Sequence, residues 1–113
     1  MENEIRDFLN EHGIPYEEQK TFTWLKTRKK KLQYDFYLSE QNLAIECQGI
    51  QHFEPVDIFG GEESFKKTIE RDRLKKALSE ENGIKLIYFS TLNIKFPYDV
   101  ITDKKTLLNE IKG

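Results

Sequence analysis

Two carboxylates and an amide fall at spacings that can act together: Asp35, Glu46 and Gln48, a D-x10-E-x-Q pattern. Residues 32–38 alternate, with Leu32, Tyr34, Phe36 and Leu38 on one side and Gln33, Asp35 and Tyr37 on the other. Residues 43–49 alternate too, Leu43, Ile45 and Cys47 against Ala44, Glu46 and Gln48. Ser39-Glu40-Gln41-Asn42 supplies a polar turn between them, so the two runs read as a β-hairpin. Pairing Leu38 with Leu43 sets Phe36 against Ile45 and Tyr34 against Cys47, an apolar face, and lays Asp35 directly across from Glu46. Opposed side chains have Cβ atoms about 4.5–5.5 Å apart, where like charges repel. A one-residue slip would scramble the apolar face, so the register is not free to relieve them. No Lys or Arg lies between Leu32 and Phe65 to neutralise the pair. A raised pKa, a cation brought from elsewhere in the chain, or a metal ion must do so. Hard oxygen ligands suit Mg²⁺ or Mn²⁺. From the pair alone, the plainer reading is a solvent-facing hairpin whose two acids tolerate each other.

Elements on either side must hold this hairpin. Ile5, Phe8 and Leu9 mark an amphipathic helix ended by Gly13 and Pro15. Residues 19–26, with Thr21, Phe22, Thr23 and Trp24, have strand composition and run into a Thr27-Arg28-Lys29-Lys30-Lys31 turn. Residues 54–63 read as a loop, and a helix is expected from about Glu62 to Asn82, closed by Gly83. Its Thr68, Asp72, Lys75 and Lys76 share a flank with Phe65, whereas Leu74, Ala77 and Leu78 lie toward the other side. Ile84 to Phe89 is nearly all apolar, as in a strand buried on both faces. Strand, helix, strand implies a right-handed crossover that makes the last strand parallel. A short helix at 104–111 completes one α/β domain spanning residues 1–113.

Charge is unevenly spread. The total is -2, from 18 Lys+Arg and 20 Asp+Glu. All six bases of residues 19–34 (Lys20, Lys26, Arg28, Lys29, Lys30 and Lys31) precede a stretch to Phe65 that contains only acids. On its own the basic turn reads as a solvated hairpin tip. Beside clustered acids it reads as a phosphate-holding loop next to a cation-holding site. No apolar run approaches the ~18 residues of a membrane span, and the acidic start is unlike a signal peptide. With Cys47 as the one cysteine, neither a disulfide nor a four-cysteine zinc site can form. The expected setting is cytoplasmic, with no membrane partner.

The segments YDFYL, NLAIECQGIQHF, RDRLKK and GIKLIYF together resemble the PD-(D/E)XK nuclease superfamily. They are similar in particular to its branch near very-short-patch-repair endonucleases and small phage or mobile-element endonuclease domains. The resemblance implies a restriction-endonuclease-like core: N-terminal helix, three-stranded antiparallel unit, crossover helix, further strand. It makes Asp35 and Glu46 metal ligands and puts Gln48 at the lysine position, with Tyr34 in place of the motif proline. Glu2 matches a first-helix glutamate that holds metal through water. Gln51 and His52 follow the motif strand, Gln51 as a DNA contact; His52 serves as acid/base or phosphate contact, or simply as a hydrogen-bonded strand-end histidine. Asp72 and Lys75 come near the site, where Lys75 takes over the role of the lysine missing at 48. Intrahelical pairing of Asp72 with Lys75 or Lys76 is the alternative.

The implied function is a divalent-metal-dependent DNA endonuclease, with Mg²⁺ or Mn²⁺ as cofactor and DNA, contacted by Arg28, Lys29, Lys30 and Lys31, as partner. Its setting would be the nucleoid or a phage-infected cell. So small a chain leaves specificity to a homodimer or to a fused or partner domain. The alternatives are a nuclease-fold DNA-binding or assembly module without catalysis, and a protein unrelated to nucleic acid.

Overall fold

A computed structural model describes residues 1–48, 61–92 and 98–113. The chain is mixed α/β, with three helices and four strands: α1 (Glu2–Glu11), β1 (Glu17–Lys20), β2 (Tyr34–Leu38), β3 (Leu43–Cys47), α2 (Gly61–Glu81), β4 (Lys85–Phe89) and α3 (Lys104–Lys112). The sheet is open, in the order β1-β2-β3-β4. β1, β2 and β3 are antiparallel neighbours, and α2 carries the chain across so that β4 lies parallel to β3. The β2–β3 register pairs Phe36 with Ile45 and Leu38 with Leu43. Gly13 and Gly83 stop α1 and α2 at φ values of 62° and 73°, a region open to glycine and costly for other residues.

Two apolar layers cover the sheet. Ile5, Phe8 and Leu9 of α1 and Leu107 and Ile111 of α3 pack on Phe36, Leu38, Leu43, Ile45, Ile87 and Phe89. On the α2 side, Leu25, Leu32, Tyr34, Tyr37, Ala44, Leu86 and Tyr88 form the second cluster.

Two sequence expectations need correction. The first edge strand is Glu17–Lys20, not residues 19–26. Thr21 to Trp24 have strand composition, but Phe22 and Trp24 instead stack on each other and cap the tyrosines of the second cluster. Tyr34 does not share a face with Phe36 and Leu38, nor is Tyr37 on a polar face; both belong to the α2-side cluster. The β2–β3 ladder ends at Phe36–Ile45, and beyond it Tyr34 reaches across to α2, its hydroxyl on Ser79 Oγ. On α2 the expected division of flanks holds: the stripe carrying Asp72 and Lys75 faces the sheet, and Leu74, toward the other side, is exposed. Polar partners on the sheet make this possible: Lys76 Nζ donates to Leu86 O at 3.3 Å and Tyr88 Oη to Asp72 O.

α3 begins at Asp103, whose carboxylate accepts from Thr106 N at 2.7 Å and Thr106 Oγ1 at 2.8 Å. These bonds hold its pKa below the ordinary aspartate value. Asp103→Ala will lower the melting temperature at pH 7 by a few degrees. A folded-state pKa below the unfolded one means the stabilisation is present above the unfolded value and lost as pH falls through the folded one. Thermal melts of the two chains should therefore converge in strong acid.

Candidate functional site

Where the β2–β3 ladder stops, the two carboxylates take over its hydrogen bonds. Asp35 N donates to Glu46 Oε2 at 3.2 Å, and Cys47 N donates to Asp35 Oδ2 at 2.9 Å. This reciprocal exchange fixes both acids at one end of the hairpin. Their side chains open into a cleft of about 520 Å³ that Glu2, Gln48, Asp72 and Lys75 also line.

The compensation for like charge comes from two directions. Lys75 Nζ, on α2, forms an ion pair with Glu46 Oε1 and also donates to Gln33 O. Both side chains of the pair are nearly buried, 11% and 8% exposed. Burial pushes the Lys75 ammonium down to about 8, against the pull of Asp35, with Lys30 adding to the fall. Contact with the Glu46 carboxylate works to keep the charge on. From α1, Glu2 meets Asp35. Burial first, then the charge of Asp35 and a hydrogen bond to it, raise the Glu2 pKa above the ordinary glutamate value.

Gln48 is held in a buried polar triangle. Its Nε2 donates to Tyr98 Oη at 2.9 Å and to Asp72 Oδ2 at 3.2 Å, and Tyr98 Oη donates to Asp72 Oδ2 at 2.7 Å. Asp72 is thus engaged with the strand end and with Tyr98 at 98. An amide so fixed can orient a neighbour but cannot take up a proton.

The donor chemistry around Asp35 suits a hard divalent cation. Yet among the described residues no group of three or more His, Cys, Asp or Glu side chains is set to hold a metal ion. Lys75 takes one Glu46 oxygen and the Asp35 N–H the other, while Asp35 accepts from Cys47 N and bonds to Glu2. The Cys47 thiol is pushed up to about 12, chiefly by burial and then by Asp35, which makes it a poor nucleophile.

No family model matches this chain. It is similar to a viral protein. Uncharacterized protein 094L of Frog virus 3 (isolate Goorha) is 43% identical over 60 residues, 51% of this chain and 39% of that protein. The chain therefore spans well under half the length of that relative.

The basic turn is a tight hairpin tip. Lys26 pairs with Lys31, Thr27 N donates to Lys30 O at 2.8 Å, and Thr27 Oγ1 accepts from Lys29 N and Lys30 N at 3.2 and 3.1 Å. Leu32 N donates to Leu25 O at 2.9 Å and seats the hairpin on the second cluster. Lys30 and Lys31 line the carboxylate cleft, while Arg28 and Lys29 sit exposed at the tip. Gln51 and His52 lie outside the described residues. Two residues escaped the sequence reading: Arg71, which lines the cleft, and Tyr98, which braces Gln48 and Asp72 behind it. Arg71 stands four residues before Lys75, a helical spacing that could have flagged it. Tyr98 lies in an irregular segment where no periodicity points to it.

Among the described residues no helix is long and apolar enough to cross a membrane.

Proposed function

We propose that this chain is a divalent-metal-dependent DNA endonuclease on a PD-(D/E)XK-like core. The observation that carries the reading is the reciprocally hydrogen-bonded Asp35–Glu46 pair at the hairpin end, in a cleft shared with Glu2, Lys75 and a basic hairpin. Helix, three antiparallel strands, crossover helix and parallel strand form the element order that such a core has. Asp35 and Glu2 would hold the cation, joined by Glu46 once its Oε1 leaves Lys75. A bound Mg²⁺ or Mn²⁺ supplies Lewis acidity, which neutralises phosphate charge and makes water more acidic. Lys30, Lys31 and Arg71 hold the phosphate oxygens. Lys75 Nζ, in the place of a lysine at position 48, accepts a hydrogen bond from the attacking water in its neutral form and takes its proton. Gln48, fixed by Asp72 and Tyr98, orients that water from the other side. In-line attack on phosphorus breaks the P–O3′ bond, and with a proton from solvent on the departing oxygen it leaves a 5′-phosphate and a 3′-hydroxyl.

Incubation of supercoiled and branched DNA with Mg²⁺ or Mn²⁺, against an EDTA control, tests this directly. Metal-dependent nicking or linearisation is expected. The Lys75–Glu46 ion pair favours a second reading, a nuclease-fold module that binds DNA without cutting it. A salt-dependent gel shift with no cleavage of either DNA in either metal would select that module.

A further inference from the structure

The hairpin tip and α2 enclose a second cleft of about 400 Å³. Arg28 and Lys29 form one wall; Lys67, Arg71 and Leu74, at helical i, i+4, i+7 spacing, form the other. Glu70 also lines it, and Lys67 lies 3.7 Å from Glu63 in a pair exposed to solvent on both sides. Such exposed pairs bind weakly and give way to a competing anion. Leu74 is 40% exposed, an unusual place for a leucine on an otherwise polar surface. Arg71 lines this cleft and the carboxylate cleft alike, so the two are neighbours along α2.

We propose that the second cleft binds an unpaired nucleotide of the same DNA strand whose neighbouring phosphate lies over Asp35 and Glu46. This rests on the nuclease reading for the identity of the strand. A nucleotide combines an anionic phosphate with an apolar base face, and the cleft offers a cationic rim with Leu74 as its apolar surface. Its volume falls within the roughly 300–1,000 Å³ typical of small-ligand sites. Arg71 bridges the two phosphates, and the hairpin divides its bases between the clefts, Arg28 and Lys29 on one side and Lys30 and Lys31 on the other. The site thereby selects a strand that is single or frayed next to the cut.

The test is fluorescence anisotropy of a single-stranded oligonucleotide and its duplex across a salt series in EDTA. Each phosphate contact on a single strand contributes about 0.7 to the slope of log affinity on log salt. Arg28→Ala/Lys67→Ala should lower the single-strand slope by about 1.4, whereas Lys104→Ala/Lys105→Ala on α3 leaves it unchanged. Leu74→Ser should weaken single-strand binding severalfold and leave duplex binding alone. These positions are exposed, so folding is preserved. An unchanged slope in Arg28→Ala/Lys67→Ala, an equal loss in the α3 control, or an equal effect of Leu74→Ser on both DNAs would overturn the inference. Cleavage is measured in parallel. Intact slopes and their expected losses without any cutting sink the nuclease reading alone, whereas cutting with unaltered slopes sinks this inference alone.

Discussion

Asp35→Asn and Glu46→Gln will each lower metal-dependent DNA cleavage by about 10³-fold or more. Both substitutions keep an oxygen where the Cys47 N–H and the Asp35 N–H need an acceptor, so the hairpin end stays closed. What they remove is negative charge at the cation site. Charge stabilisation by a metal is worth several kcal/mol in the transition state, and each 1.36 kcal/mol is tenfold in rate. Glu40→Ala, in the exposed turn between β2 and β3, changes the rate less than twofold. Rates are read from plasmid nicking at saturating Mn²⁺, with thermal melts to show that the fold persists. Retention of cleavage within threefold in either amide variant would sink the assignment of these residues.

Lys75→Met will destabilise the chain by about 3–5 kcal/mol at pH 7 without metal, since it strands the buried Glu46 carboxylate. The ion pair itself adds little net stability. Burial disfavours the ammonium enough to bring it to about 8, so attraction only partly offsets desolvation. Lys75→Met/Glu46→Gln should consequently recover most of the loss, because no uncompensated charge remains. Mg²⁺ or Mn²⁺ should stabilise Lys75→Met more than wild type, as the cation meets Glu46 without displacing an ammonium. Urea unfolding of wild type, Lys75→Met and the double variant, with and without metal, measures all three effects. A double variant as unstable as Lys75→Met would show that the lysine acts through packing instead.

The β2–β3 register was legible because a polar four-residue turn and alternation on both strands leave one pairing that keeps Phe36, Ile45, Leu38 and Leu43 together. The parallel β4 followed from a buried run after a long helix. Two things were not legible, for different reasons. Alternation assigns faces only while the ladder lasts, and at Asp35 side-chain carboxylates replace it, so Tyr34 could not be placed by counting. The inward polar stripe of α2 reads as a solvated face because its partners, the hydroxyls of Tyr34, Tyr88 and Tyr98, come from residues distant in the chain. The approach of Lys75 to the site was expected from the family resemblance and not from spacing: its residues lie on separate elements, and periodicity alone offers the missing cation without an address.

β1 has a bearing on how the molecule behaves in company. It is one outer edge of an open sheet, where unpaired backbone groups invite another chain to add a strand. Its four residues, Glu17, Glu18, Gln19 and Lys20, are short of a full-length strand, three of them charged, and Gln19 sits at a φ of 53°. At the opposite edge, Ile101 pairs with Phe89 and covers the end of β4. A brief, charged, kinked strand is a poor template for edge-to-edge growth, so the sheet can stay open and the molecule still resist fibril formation when concentrated.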